Sequence, residues 1–335
     1  MKKLFIILLL LIFQIVFAQN EQHNDVVHYY HSQKNFNGIV LVATDGKIDY
    51  LNGIGISNRQ TGTTMNAKTK FKIASITKTF TAVLVLKLHQ QGKIDLNVPF
   101  GKYYPTYKGD AKDKVTIQQL LTYSSGIPNA VENLHLKPYQ LPLTLDEFID
   151  QYCSEKVAFT PGEKSNYSNT EYTILHKIIE NVSKTSFSSL LQENILNPLQ
   201  MKNTGMLHAK DIIAGLSSSY TLEASTNQIT ADEPYFIENY FGSAAMYSTV
   251  EDLLTFNNAL LNNRLLNAST TNLLLQPNKQ LDGATLGGLW YSDGYGTFNK
   301  PFIYRTGGLL GSCSNWIHSM EDKKTIIVFN NINGT

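Results

Sequence analysis

The chain has 335 residues, 28 basic and 27 acidic side chains, a formal net charge of +1 and 42% hydrophobic residues. That length is ample for a large core, and the near balance of charge gives no footing for a nucleic-acid partner or an anionic membrane surface. Two cysteines, Cys153 and Cys313, are too few for a disulfide framework and read as separate, mostly buried thiols.

In chain order, Met1-Lys2-Lys3 is followed by an apolar run from Leu4 to Phe17, broken only by Gln14, and then by Ala18. A charged start, a short apolar stretch and a Val16-x-Ala18 cut site read as a signal peptide over residues 1–18, which implies export to a periplasmic or secreted location. No cysteine stands at the cut for lipid attachment, so no membrane contact is expected after cleavage. Residues 22–33 suit a short helix. Gly38 to Ala43 is a β-rich run, Asp45-Gly46 a tight-turn signal, and Lys47 to Ile56 a second strand, so a hairpin is expected. Phe71-Lys72-Ile73-Ala74-Ser75-Ile76-Thr77-Lys78 then opens a helix that carries Val83-Leu84-Val85-Leu86 and stops at Gly92. Apolar on all sides, it reads as a rod through the protein centre.

From about 95 to 240 the pattern is mostly helical. Thr116-x-x-Gln119 and Thr144-x-x-Glu147 have the form of capping boxes. Leu145, Phe148, Ile149, Tyr152 and Cys153 fall on one helix face, as do Ile174, Leu175, Ile178, Ile179 and Val182. Thr249 can cap a helix from Val250 to Asn262. Strands return at Phe302–Tyr304, Cys313–His318 and Thr325–Phe329. The order predicts an α+β fold with an antiparallel sheet built from both chain ends, flanked by helices, and a mostly helical subdomain. After the leader, 19–335 reads as one catalytic domain, with a sheet part at about 19–74 and 285–335 and a helical part at about 75–284.

Ser75-x-x-Lys78 is the only Ser-x-x-Lys in the chain. A serine hydroxyl needs a partner to take its proton, and a lysine three residues on lies on the same helix face one turn away. Burial and the positive end of the helix dipole both favour the neutral amine, a usable base. Acyl transfer also needs an acid for the leaving group. A tyrosine near ammonium groups has its pKa lowered towards that task. Two Tyr-x-Asn sequences exist. Tyr50-Leu51-Asn52 lies on the expected hairpin, whereas Tyr167-Ser168-Asn169 follows Pro161-Gly162 in a loop before a helix, where an exposed site fits better.

With these motifs the chain resembles the serine β-lactamase and penicillin-binding-protein superfamily, in particular its class C and serine-esterase branch, over about residues 36–332. The resemblance rests on Phe71-x-x-x-Ser75-x-x-Lys78, Leu120 to Pro128, Pro161-Gly162, Tyr167-Ser168-Asn169, Asn197-Pro198-Leu199-x-Met201, Tyr247-Ser248-Thr249 and Arg305-Thr306-Gly307-Gly308. It implies that Ser75 is the acylated nucleophile, Lys78 its proton partner and Tyr167 the shuttle to the leaving group. It further implies that Asn169 binds substrate amide and Lys78, that Arg305, Thr306, Gly307 and Gly308 form a substrate-binding strand, and that the backbone N–H groups of Ser75 and Gly308 make an oxyanion hole. Arg305 stands where the family usually has Lys or His; it keeps a charge and a carboxylate-binding fork but no titratable proton. Tyr123 stands in place of a frequent His, and Ala244-Ala245 in place of Gly-Gly. Many relatives continue beyond the last strand into a helix over one sheet face.

No Gly-x-Ser-x-Gly elbow, His-Glu-x-x-His, Cys-x-x-Cys or phosphate loop occurs, so no metal and no cofactor is expected. The resulting expectation is an exported serine hydrolase that forms an acyl-enzyme with a small-molecule or peptide substrate: a β-lactam, a D-alanyl peptide of cell-wall origin or a small ester. The alternative is a catalytically silent binding or sensor protein on the same scaffold. An intact nucleophile–base pair argues against that alternative, and the departure at Arg305 argues for it.

Overall fold

The computed structural model describes residues 21–129, 134 and 136–333; the leader assigned to residues 1–18 lies outside them. Six strands form the main sheet: β1 (Gly38–Thr44), β2 (Lys47–Ile54), β3 (Trp290–Ser292), β4 (Phe302–Leu309), β5 (Ser312–Ser319) and β6 (Lys324–Asn330). Their order is β3-β4-β5-β6-β1-β2, and every neighbouring pair is antiparallel. The two chain ends meet at its centre, where β1 pairs with β6 from Gly38↔Asn330 to Thr44↔Lys324. Asp45 and Gly46 turn β1 into β2 with φ of 49° and 76°. Two positive φ values match a turn whose twist suits a hairpin, which is why Asp-Gly serves there.

Helix α1 covers residues 21–34 and lies on the outer sheet face, where Val27 packs with Phe36, Val42 and Tyr50. Helix α2 (Thr77–Gln90) is buried from Thr77 through Leu86, as its all-round apolar sequence requires. Helix α3 (Asn169–Ser183) packs beside α2. Helix α4 (Val250–Leu261) comes from the helical stretch yet lies on the sheet. Phe80 of α2 stacks on Phe256 of α4 at 3.9 Å, and Phe256 meets Trp316 of β5 edge-on at 6.0 Å. That chain of rings joins the helical core to the inner sheet face.

The expected caps form. Thr116 and Thr144 each make a full capping box, and Thr249 accepts from the Asp252 N–H at the start of α4. The stretch expected to be mostly helical also contains strands. Tyr220–Glu223 and Gln228–Ala231 form a hairpin that turns through Asn227 at φ 54°, and Ile332–Asn333 joins it in parallel. A second small sheet sets Met246–Ser248 between Phe71–Lys72 and Gly205–Met206. It fixes the segment leading to Ser75 from below.

Candidate active site

Ser75 occupies a 3₁₀ turn, Ala74–Ile76, that runs directly into α2. Ala74 has φ +46°, a left-handed conformation that a non-glycine residue adopts only when its surroundings impose it. The imposing bonds are visible. The Ile73 N–H donates to Met246 O, and Ile73 O accepts from the Ile76 N–H and from Ser314 Oγ at 2.8 Å. Just upstream, Lys72 Nζ donates to Ser219 Oγ and Tyr235 Oη, so the approach to Ser75 is anchored as well.

The side chains expected to react are brought together. Ser75 Oγ lies 2.6 Å from Tyr167 Oη. Lys78 Nζ donates to Ser75 Oγ at 3.2 Å, to Asn169 Oδ1 at 2.7 Å and to Ser243 O at 3.0 Å. Lys78 is fully buried, and Tyr167 is 37% exposed, so the cluster opens to solvent on the tyrosine side. Ser168 caps α3 by accepting from the Thr170 N–H, which fixes Tyr167 just before the helix and Asn169 as its first residue.

Burial is the largest influence on Lys78 and pulls its ammonium down to about 8; Arg305 adds to the fall and Tyr167 opposes it. For Tyr167, burial pushes upward, but the positive charges of Lys78 and Arg305 outweigh it and bring the phenol down to about 8. The hydrogen bonds fit two proton arrangements. With an ammonium at Lys78 and a phenolate at Tyr167, Ser75 donates to Tyr167 and accepts from Lys78. With a neutral amine and a neutral phenol, Ser75 donates to Lys78 and accepts from Tyr167. The two differ only in proton positions along one short chain.

Arg305 is placed differently from the substrate clamp expected of it. It is 2% exposed. Its Nε donates to Ser75 O at 2.9 Å, Nη1 to Tyr123 Oη at 2.9 Å and Gly288 O at 3.0 Å, and Nη2 to Tyr167 Oη at 3.0 Å. The fork braces the Ser75 carbonyl and the Tyr167 phenol instead of facing outward. Alternation along β4 carries this signal: Ile303, Arg305, Gly307 and Leu309 are its buried set, and Thr306 and Gly308 are exposed. The apolar partners Ile303 and Leu309 mark that face in the sequence.

Gly307 passes the Ser75 turn so closely that a Cβ there would sit 2.4 Å from Ser314 Oγ, 2.5 Å from Ile73 O and 3.0 Å from Ser75 N, whereas a Cβ on Gly308 would meet nothing within 4 Å. Strand β3 covers β4 only at Phe302–Tyr304, so residues 305–309 present an edge without a strand partner among the described residues towards the Ser75 turn.

Several participants carry no motif of their own. The Ser243 carbonyl, the Gly288 carbonyl and the Tyr123 hydroxyl hold the two cations in place. Tyr123, at φ +57°, also stacks on Trp290 and leans on Tyr167 and Tyr172. In the sequence it is marked by its place within Leu120–Pro128, at the position where the resemblance leads one to expect His. Ala244 and Ala245 are buried core residues. Cys153 is buried, Cys313 half-buried, and both are free thiols. Among the described residues no group of His, Cys, Asp or Glu side chains is placed to hold a metal, and no helix is long and apolar enough to cross a membrane.

Known proteins share this architecture. Teichoic acid D-alanine hydrolase of Staphylococcus aureus (strain MRSA252) is 25% identical over 302 residues, which cover 89% of this chain and 71% of that protein. Protein flp of S. aureus (strain MW2) is 31% identical over 223 residues, covering 64% of this chain and 43% of that protein; alignments to flp of other strains reach 59% of its length, so the chain spans about half of it. Among solved structures, the D-amino acid amidase of Ochrobactrum anthropi SV3 superposes with a TM-score of 0.80 at 22% identity, covering 93% of this chain and 92% of that one. The penicillin-binding protein of Bacillus halodurans superposes with a TM-score of 0.79 at 23% identity, covering 92% and 95%. The family model described as Beta-lactamase matches residues 19–335, and the chain is a member of this family of serine hydrolases.

Proposed function

We propose that this protein is an exported serine acyl hydrolase that opens ester or amide bonds through a covalent intermediate on Ser75. The observation that carries the reading is the contact of Ser75 Oγ with Tyr167 Oη at 2.6 Å and with Lys78 Nζ at 3.2 Å, both partners having pKa values brought down to about 8. In acylation the Lys78–Tyr167 pair accepts the Ser75 proton as Oγ attacks the carbonyl carbon. The developing oxyanion is met by the backbone N–H groups of Ser75 and Gly308. Tyr167 then returns a proton to the departing oxygen or nitrogen, and water releases the acyl group by the reverse relay. Asn169 holds Lys78 and faces the substrate amide; Arg305 keeps the phenol acidic; Thr306 and Gly308 offer the open strand edge. Acceptors fully matched to Lys78 favour this reading over a silent binding protein, which has no use for a poised base.

For the substrate class, the relatives named for D-alanine hydrolysis and D-amino acid amide cleavage make D-aminoacyl esters or amides the first candidates, ahead of β-lactams. Export rests on the leader-like residues 1–18.

The test is covalent labelling. Wild-type protein treated with a fluorophosphonate probe or a fluorescent penicillin is expected to carry one adduct, located on Ser75 by mass spectrometry, and Ser75→Ala is expected to carry none. Undiminished labelling of Ser75→Ala would overturn the assignment. Turnover of a D-alanyl ester against a chromogenic cephalosporin then ranks the substrates.

A further inference from the structure

Two residues beyond Asn169, Glu171 is 1% exposed. Its Oε1 accepts twice from Ser125, from the backbone N–H at 3.1 Å and from Oγ at 2.5 Å. Ser125 Oγ in turn accepts from the Ile127 N–H at 3.0 Å. Glu171 Oε2 is buried with no hydrogen-bond partner among the described residues. The proton relay described above leaves this carboxyl unused.

Its position gives it work. The turn it grips, Tyr123 to Ile127, presents Tyr123 to Arg305, and the first turn of α3 presents Asn169 to Lys78. Glu171 links those two segments through its two hydrogen bonds from Ser125, beside the Tyr172 ring against Tyr123 and the Thr170 hydroxyl on Pro128 O. We propose that Glu171 is a positioning residue of the acyl-transfer site, an uncharged carboxyl that locks the Tyr123 turn to the start of α3.

Charge follows from the surroundings. The titratable and charged groups facing Glu171 are Lys78 from α2, Tyr123 from the turn and Tyr172 from its own helix. An ionised carboxylate with one oxygen unpaired in a fully buried place is costly. Burial accordingly pushes Glu171 well above the usual carboxylate range, against the pull of its Ser125 bonds and of Lys78. An ionised Glu171 would also stabilise the Lys78 ammonium and leave less of the free amine near neutral pH. A neutral carboxyl keeps the two accepted hydrogen bonds without that penalty.

The inference rests on the acyl-transfer reading, and its test separates the two. Glu171→Gln keeps the shape and an accepting oxygen. It is expected to leave kcat/KM for a p-nitrophenyl ester within about threefold and the acid limb of its pH profile in place. Glu171→Leu removes the link and is expected to lower kcat on the order of tenfold with KM nearly unchanged. Difference infrared spectroscopy at neutral pH, wild type minus Glu171→Gln, is expected to show the carbonyl band of a protonated carboxylic acid. An acid limb displaced to lower pH in Glu171→Gln, a carboxylate band in its place, or full kcat in Glu171→Leu would each overturn the proposal. If Ser75 fails to acylate at all, the functional reading falls, and the infrared band still decides the charge of Glu171.

Discussion

Four N–H groups of Arg305 are spent inside the protein, on Ser75 O, Tyr123 Oη, Gly288 O and Tyr167 Oη. Arginine does not lose its proton in the working range, so the cation beside Tyr167 is permanent. Beside it the Lys78–Tyr167 pair is brought down to about 8, and its apparent pKa values belong to the pair. In the proposed mechanism, the form with one labile proton between them takes the Ser75 proton and later returns one. Activity should therefore rise with pH through an acid limb set by groups near about 8. Removing the Arg305 charge raises both members, because Arg305 lowers each. Arg305→Gln is expected to move the acid limb of kcat/KM towards alkaline pH, at a cost of about tenfold at pH 7 per unit of displacement. Arg305→Lys keeps the charge with fewer donors and should move it less. Profiles measured on a p-nitrophenyl ester check this; a limb that stays in place in Arg305→Gln would show that the guanidinium does not act on the phenol.

Strand β4 and the Ser75 turn meet at Gly307, and this contact makes different demands on two adjacent glycines. Neither has a positive φ, so the demand is one of space. Gly307→Ala would drive a methyl into Ser314 Oγ and Ile73 O, the clamp that holds the turn, and would push β4 away from Ser75 N. A displacement near 1 Å at a reacting centre costs about 100-fold. Gly307→Ala is thus expected to lose about two orders of magnitude in acylation rate, whereas Gly308→Ala, whose methyl meets nothing, should stay close to wild type. Stopped-flow acylation with Tm measured alongside tests the contrast; equal losses in the two variants would refute it. Much at this scale was legible in the sequence because its causes are local: the Asp45-Gly46 turn, the Thr116, Thr144 and Thr249 caps, the all-apolar α2. The Tyr220–Ala231 hairpin was not, because its strands are only four residues each and largely exposed, so their apolar alternation is too short to stand out. The motifs supplied the residues that meet at Ser75, but the inward turn of Arg305 depends on which face of β4 the helices cover, a tertiary fact that only Ile303 and Leu309 hinted at.

The sheet closes only when β1 from one end of the chain pairs with β6 from the other, and α4 then seals its inner face. The seal is partly polar. Trp316 Nε1 donates to Asn257 Oδ1 at 3.0 Å, Asn257 Nδ2 donates to Thr325 Oγ1 at 3.2 Å, and His318 Nδ1 lies 2.9 Å from Thr325 Oγ1. Burial pulls the His318 imidazole down from 6.5 to about 4, so it is neutral in the folded state where the unfolded chain would protonate it. Between those values the unfolded state binds more protons, and stability therefore rises with pH across that window and is lost as pH falls through it. His176, lowered by burial as well, acts in the same direction, whereas Asp252 and Glu171, raised by burial, act oppositely. A difference measurement isolates one group from the rest. His318→Gln keeps a hydrogen-bonding side chain but cannot charge, so its stability relative to wild type should improve steadily from pH 6.5 to pH 4, by an amount on the order of 1 kcal/mol. Urea unfolding of both proteins at several pH values gives that difference directly. A gap between them that is constant with pH would mean that His318 does not carry the acid sensitivity of the α4–sheet seam, and that the two chain ends are held together there without regard to its charge.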